Sequence, residues 1–313
     1  MSEWSTTGVL IPTMTEDPTN KSAGNIIRIS KIPDPPERPA DGHKGTFGSV
    51  LVVAGSEGMS GAACLTGRGV LHGGAGLVTV ASPRCISHVV AASHPSYMTL
   101  PLPDDDGRLS ADAVSSIDGF LKTGTVIAIG PGLGHTDSVR TVVRRLYQHC
   151  SQPMVVDADG LNAFAFETEK LADRPEGAVR ILTPHPGEFS RLTGLDTATV
   201  QQQREQLAID FARRFEITLL LKGANSIITD GHSIAVNTTG DTGLATGGSG
   251  DVLTGLIASL LAQGLNAFDA THLGAYIHGL AGECASIALT DRYVTSLDIV
   301  NHLSQAWHRL VDE

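Results

Sequence analysis

The sequence predicts an α/β protein, a three-layer α/β/α sandwich around a mainly parallel sheet. Three observations carry this expectation. Short runs such as "SVLVVAG" (49–55), "GLVTVAS" (76–82) and "TVIAIGPG" (125–132) are apolar throughout, as strands covered on both faces must be. Longer amphipathic stretches separate them, as crossover helices separate parallel strands. Clusters of Gly, Asp, His and Lys fall where the apolar runs end, and sheets of this kind bind ligands beyond the carboxyl ends of their strands.

Taken in order, residues 1–40 are polar and Pro-rich ("KIPDPPERPADG") and predict a poorly ordered arm, with room for an edge strand near Ile26 to Ile29. After the strand at 49–55, "SGAACLTGRGVLHGG" (60–74) reads as a small-residue helix leading to the strand at 76–82. Strands follow at 125–132 and 153–160 ("PMVVDADG"). Between them Val139, Val142, Val143, Leu146 and Cys150 share one face at helical spacing. "VRILTPHPGE" (179–188), a helix over about 200–215 and the strand "ITLLLKG" (217–223) come next. Residues 225–240 read as a hairpin turning at Asp230-Gly231. Helices over about 250–263, 267–289 and 296–311 close the chain. No repeat or internal linker divides it, so a single domain over 41–313 is expected.

Composition narrows the function classes. Of 313 residues, 41% are hydrophobic and 18% charged, which allows a sizeable core and excludes wholesale disorder. The net charge is −11 with no basic cluster, so nucleic acid and anionic membranes are poor partners. An acidic protein still binds a nucleotide locally through backbone N–H groups and Mg2+. Cys64, Cys85, Cys150 and Cys284 include no C-x-x-C pair and read as reduced core thiols of a cytoplasmic protein. The first twenty residues lack a basic segment followed by an apolar one, so no secretory signal is expected. No apolar run approaches a membrane span.

The chemistry gathers around "GLATGGSGDVLTGLIASLL" (243–261). Gly is the least favourable residue to order, and here it leads straight into a helix, whose first N–H groups form an anion site. Gly247, Gly248, Ser249 and Gly250 are the candidate anion hole for a phosphate; the alternative is a turn capped by Ser249 or Asp251. Asp251, kept ionised by the helix dipole, is placed to take a proton from a hydroxyl attacking a γ-phosphate. His185, in "TPHPGE", either donates to a ligand oxygen or fixes the turn before a helix opened by Pro186. Lys222, at a strand end, either reaches a phosphate or is a solvated terminus. Gly132 in "GPGLG" allows close backbone approach or is an ordinary turn. Ala62 and Ala63 leave room for a planar ring or for close helix packing. Asp157 and Asp159 suit Mg2+-bound water, sugar hydroxyls or simple caps. The other eleven histidines show no ligand spacing, and no metal ligands are assigned.

Together, "HKGTFGSVLVVAGS" (43–56), "GAACLTGRGVLHGGAGLVTV" (61–80), "AIGPGLG" (128–134), "VVDADGLN" (155–162), "ILTPHPGEFSRLTG" (181–194), "LLKGANSII" (220–228) and "NTTGDTGLATGGSGDVLTG" (237–255) resemble the nucleotide-dependent NAD(P)H-hydrate dehydratase family of the ribokinase-like superfamily. The resemblance runs from about residue 40 to the end. It implies a metabolite-repair lyase that restores NADH and NADPH from the S-epimers of their hydrates (NADHX and NADPHX), with ADP or ATP as co-substrate and Mg2+ as cofactor. By the same resemblance Ala63, Gly132, His185 and Asp251 contact the hydrated dinucleotide, and Lys222, Gly223, Ala224, Asn225, Ser226 and Gly250 surround the nucleotide. Asp251 becomes the catalytic base. ADP is expected over ATP, since a compact chain without an organelle-type leader reads as prokaryotic. A stand-alone dehydratase and a homo-oligomer, a tetramer, are expected as well. A small-alcohol kinase would share "GSGD" but not "TPHPGEF" with "HKGTFG".

Overall fold

The computed structural model describes residues 25–121 and 125–312. In chain order, β1 (Ile27–Arg28), β2 (Ser49–Val53), α1 (Ser60–His72), β3 (Leu77–Pro83), α2 (Ser87–Ser93) and β4 (Met98–Leu102) come first. A small hairpin, β5 (Asp104–Asp105) and β6 (Arg108–Leu109), leads to α3 (Ala113–Phe120), β7 (Thr125–Ile129) and α4 (Asp137–His149). Then come β8 (Met154–Val156), α5 (Asp159–Asn162), β9 (Arg180–Leu182), α6 (Pro186–Thr193), α7 (Thr197–Gln202) and α8 (Arg204–Phe215). The chain finishes with β10 (Thr218–Leu221), β11 (Ser226–Thr229), β12 (Ser233–Asn237), α9 (Ser249–Ala262), α10 (Ala267–Leu289) and α11 (Ser296–Asp312).

Ten strands form one sheet in the order β1-β12-β11-β10-β9-β8-β7-β2-β3-β4. Only β11 runs against its neighbours, β10 and β12. From β2 the chain builds outward through β3 to β4, then returns to β7 on the other side of β2 and continues to β10. The carboxyl ends of β2 and β7 therefore flank a switch point, where such sheets open a crevice. Alternation along the strands divides the core. Val50, Val52 and Ala54 pack with α1, α9, α10 and α11, whereas Leu51 and Val53 pack with α3, α4 and α8. The fold is the three-layer α/β/α sandwich around a mainly parallel sheet expected from the sequence.

Glycines set how close α9 comes to α1. A Cβ on Gly69 would lie 2.3 Å from the Val252 carbonyl oxygen, and one on Gly255 would lie 2.0 Å from that of Thr66. Backbone thus packs on backbone at both positions, and the start of α9 is held at a fixed distance from α1.

Several expectations need correction. The arm is docked from residue 25 on. β1 pairs with β12, Arg28 pairs with Glu205, and the Arg38 guanidinium stacks 3.8 Å over the Phe47 ring. Strand pairing and stacking hold a Pro-rich segment that has little apolar surface to bury. Residues 1–24 of the expected arm lie outside the described residues. The helix expected over about 200–215 is broken at Gln203, whose φ of −122° leaves the helical region. Cys85 is exposed and is not a core thiol, although Cys150 and Cys284 are buried. No helix among the described residues is long and apolar enough to cross a membrane.

Candidate active site

The start of α9 differs from a capped helix. Gly248 is the N-cap, in the left-handed region at φ 88°, and no side chain caps the helix. A Cβ there would also strike Leu65 at 2.4 Å. The reading of Ser249 or Asp251 as a simple cap therefore fails. The Ser249 N–H donates to the Thr246 carbonyl at 3.3 Å. Among the described residues the N–H groups of Gly247, Gly248, Gly250 and Asp251 have no such acceptor. Unpaired N–H groups at a helix start are what an anion needs. The candidate anion hole is thus made of Gly247, Gly248 and Gly250 amides, with the Ser249 amide already taken.

Beneath it lies a buried ion pair. Lys222 Nζ donates to Asp157 Oδ1 at 2.7 Å, and the Thr254 hydroxyl donates to Asp157 Oδ2 at 2.7 Å. Asp157 is 1% exposed, and each of its carboxylate oxygens has one of these partners. Lys222 is not a solvated strand end. Burial opposes its charge, but Asp157, Glu188 and Asp251 outweigh this and hold its pKa above the ordinary value. A Cβ on Gly250 would lie 3.5 Å from Lys222 Nζ, so the ammonium sits directly against the start of α9. Ala158, at φ 50° and ψ −118°, is the strained link that lets two neighbouring acids turn apart. Asp157 turns to Lys222, while Asp159 accepts from the Gly134 N–H at 2.7 Å and stands 3.2 Å from His135 Nε2.

Asp251 faces this cluster. The helix dipole alone predicts a firmly ionised carboxylate, and the structure corrects that expectation. Burial pushes its pKa up to about 7, Asp157 adds to the rise, and Lys222 pulls the other way. A carboxylate balanced near neutrality is suited to accept a proton and release it again.

His185 fixes the turn before α6, one of the two roles that the sequence left open. As N-cap of α6, its Nδ1 accepts from the N–H groups of Gly187 and Glu188, at 3.0 and 3.3 Å. Glu188 returns the contact by accepting from the His185 N–H at 2.8 Å, completing a capping box. Because Nδ1 accepts, the ring hydrogen is on Nε2, 3.3 Å from Glu188 Oε1, in a side chain that is half exposed. Burial lowers the ring's pKa, helped by Lys222 and Arg191, so the imidazole is a neutral donor.

A cleft of about 830 Å³ opens beside these groups, lined by His185, Lys222 to Ser226, residues 237–242, Ser249, Gly250 and His278 among others. The structure therefore brings together the candidate nucleotide residues from two separate sequence stretches, 222–226 and Gly250, with His185 beside them. Arg204, overlooked in the sequence, shapes that loop from α8. It donates to the carbonyls of Ala224, Leu221 and Lys222 at 3.0, 3.1 and 3.3 Å. Ala63 and Gly132 stand apart from the cleft, at the β2–β7 switch point. A Cβ on Gly132 would lie 2.8 Å from the Ala62 methyl, and Ala63 is fully buried with its methyl toward Gly55. Asp251 feels the charges of Lys222, which lines the cleft, and of Asp159, which is bonded to the Gly134 loop. Thr254, Glu188 and His278 were also missed; Thr254 and His278 lie inside helices and carry no local signal, whereas Glu188 stands three residues after the N-cap, where its spacing could have found it.

A sequence model of the NAD(P)H-hydrate dehydratase family matches residues 50–305. The chain belongs to the NAD(P)H-hydrate dehydratase family. Its relatives include the bifunctional NAD(P)H-hydrate repair enzyme Nnr of Moorella thermoacetica, 42% identical over 89% of this chain and 52% of that protein. Another is the ADP-dependent (S)-NAD(P)H-hydrate dehydratase of Neisseria meningitidis serogroup B, 38% identical over 79% of this chain and 80% of that one. Among solved structures, the ADP/ATP-dependent NAD(P)H-hydrate dehydratase of Bacillus subtilis, co-crystallised with ATP and Mg2+, superposes with a TM-score of 0.76. It is 32% identical, over 88% of this chain and 94% of that one. This family member spans about half the length of the bifunctional relatives that it matches.

Proposed function

We propose that this chain is an ADP-dependent dehydratase that converts the S-epimers of NADH-hydrate and NADPH-hydrate back to NADH and NADPH, releasing AMP and phosphate. The observation that carries the reading is the position of Asp251. It is buried against the Lys222–Asp157 pair, beside a cleft lined by Lys222, the 223–226 loop and Gly250. The names of the Neisseria and Bacillus relatives support the substrate and the nucleotide.

The chemistry follows from leaving-group quality. Hydroxide leaves a ring carbon poorly and phosphate leaves well. With the hydrate over the switch point, its ring hydroxyl attacks the terminal phosphorus of ADP while Asp251 accepts the hydroxyl proton. The bond from phosphorus to the AMP oxygen breaks, and the amides of Gly247, Gly248 and Gly250 stabilise charge on the moving phosphoryl group. Departure of phosphate from the ring, with loss of a neighbouring ring proton, restores the double bond. His185 Nε2–H donates to the dinucleotide, and Lys222 attends the nucleotide phosphates. Mg2+, present with ATP in the Bacillus structure, would supply charge neutralisation for the nucleotide phosphates beside Lys222.

Residues 25–312 belong to one catalytic domain in this reading, which acts in the cytoplasm as a homotetramer. The test is turnover of either hydrate with ADP or ATP in parallel, followed by recovery of reduced-nicotinamide absorbance together with free phosphate. A stable phosphorylated product instead means an alcohol kinase. Mass measurement in solution tests the tetramer.

A further inference from the structure

We propose that His278 is a positioning residue that turns the Ser249 hydroxyl hydrogen toward the phosphoryl oxygens in the cleft. The inference rests on the dehydratase reading for the identity of the anion, but its geometry stands independently of it.

Ser249 is 7% exposed and His278 6%, and both line the cleft. His278, on α10, places Nε2 3.0 Å from the Ser249 carbonyl oxygen and 3.3 Å from its hydroxyl oxygen. A carbonyl can only accept, so Nε2 carries the hydrogen. Burial holds the ring's pKa down at about 4, so it is neutral and has that single N–H. The same hydrogen reaches both oxygens of Ser249. The hydroxyl oxygen is then an acceptor toward His278, and its own hydrogen must point elsewhere. The cleft is the open side. The Ser249 amide is committed to Thr246, so the hydroxyl replaces it as a donor in the anion hole. His278 touches no substrate in this account and acts through Ser249.

A double-mutant cycle tests the idea, read first on ADP affinity by calorimetry, which needs no turnover. His278→Leu keeps bulk without a donor, and His278→Gln restores a donor at similar reach. His278→Leu and Ser249→Ala should each weaken ADP about tenfold, the scale of one hydrogen bond to a charged group. The double variant should lose no more than either single one, and His278→Gln should return most of the affinity. Losses that multiply toward a hundredfold, or a leucine variant binding ADP normally, overturn the proposal. In 15N-labelled wild-type protein, which needs no variant to fold, the His278 ring must show the Nε2–H tautomer; the Nδ1–H form overturns the proposal too. A wild type that binds ADP but does not turn over hydrate defeats the dehydratase reading while leaving this cycle intact.

Discussion

Replacing Asp251 with Asn should make the protein more stable at pH 8 and nearly inactive. The folded-state pKa is about 7 against an ordinary 3.8. Between those values the unfolded chain gives up its proton while the folded one keeps it. Stability from this group is therefore greatest at low pH and is lost as pH rises through that window. By pH 8 the loss is on the order of 4 kcal/mol, which solvent reaching the partly open carboxylate trims to roughly 1–3 kcal/mol. Asn is close in shape and removes the charge, so urea melts should show the gain at pH 8 and almost none near pH 4. Turnover should fall by about two to four orders of magnitude, the value of a lost base. The wild-type rate should rise with pH through about 7 as the carboxylate ionises. A variant within tenfold of the wild-type rate refutes the base assignment. A variant less stable than wild type at pH 8 refutes the account of its burial.

Lys222→Met should destabilise the protein by roughly 3–5 kcal/mol, since Asp157 would be left buried and unpaired; adding Asp157→Asn should recover most of that in chemical denaturation. His185→Asn can still cap α6, so the melting temperature should hold while KM for the hydrate rises roughly two- to tenfold. His185→Ala should lose the cap as well, about 1 kcal/mol of stability, and an alanine variant as stable as the asparagine one would show that the capping bonds contribute little. Removing residues 1–40 takes away the Ile27 bond to His232, the Ile29 bond to Ile234 of β12 and the Arg38–Phe47 stack. A loss of about 2–3 kcal/mol is expected by calorimetry, and an unchanged melting point would show that these contacts are idle.

The parallel sheet was legible because its strands are apolar on both faces, and α4 because its buried residues keep strict helical spacing. Strand ends were not. The expected strands at 125–132 and 153–160 stop at Ile129 and Val156, and in the stretch 179–188, which was given no element, β9 covers Arg180–Leu182. Their continuations, rich in Gly, Pro and Asp, are the loops that build the site, and β patterning runs into them without a break. Residues 87–121 gave no reading, and there α2, β4, the small hairpin and α3 were missed. At the site, Asp251, Lys222 and His185 stood out through motif and strand-end position. The Lys222–Asp157–Thr254 chain could not, because its members are 97 residues apart at the extremes and only the fold joins them. The proton affinity of Asp251 was misjudged for the same reason: the dipole is local to the helix, whereas Asp157 and the surrounding burial are not.

The two glycine contacts between α1 and α9 also bear on how this protein can drift. Where helices meet through side chains, paired neutral replacements let them slide over many generations, and whatever they carry slides too. Gly69 against Val252 and Gly255 against Thr66 leave no side chain between the helices to exchange. The carboxylate on α9 therefore keeps its register with the β2–β7 crevice while everything around it varies. Diversification has to occur in the bordering loops at 223–226 and 238–246. Descendants with altered ligand preference would then keep an unmoved reaction centre beneath a changed rim.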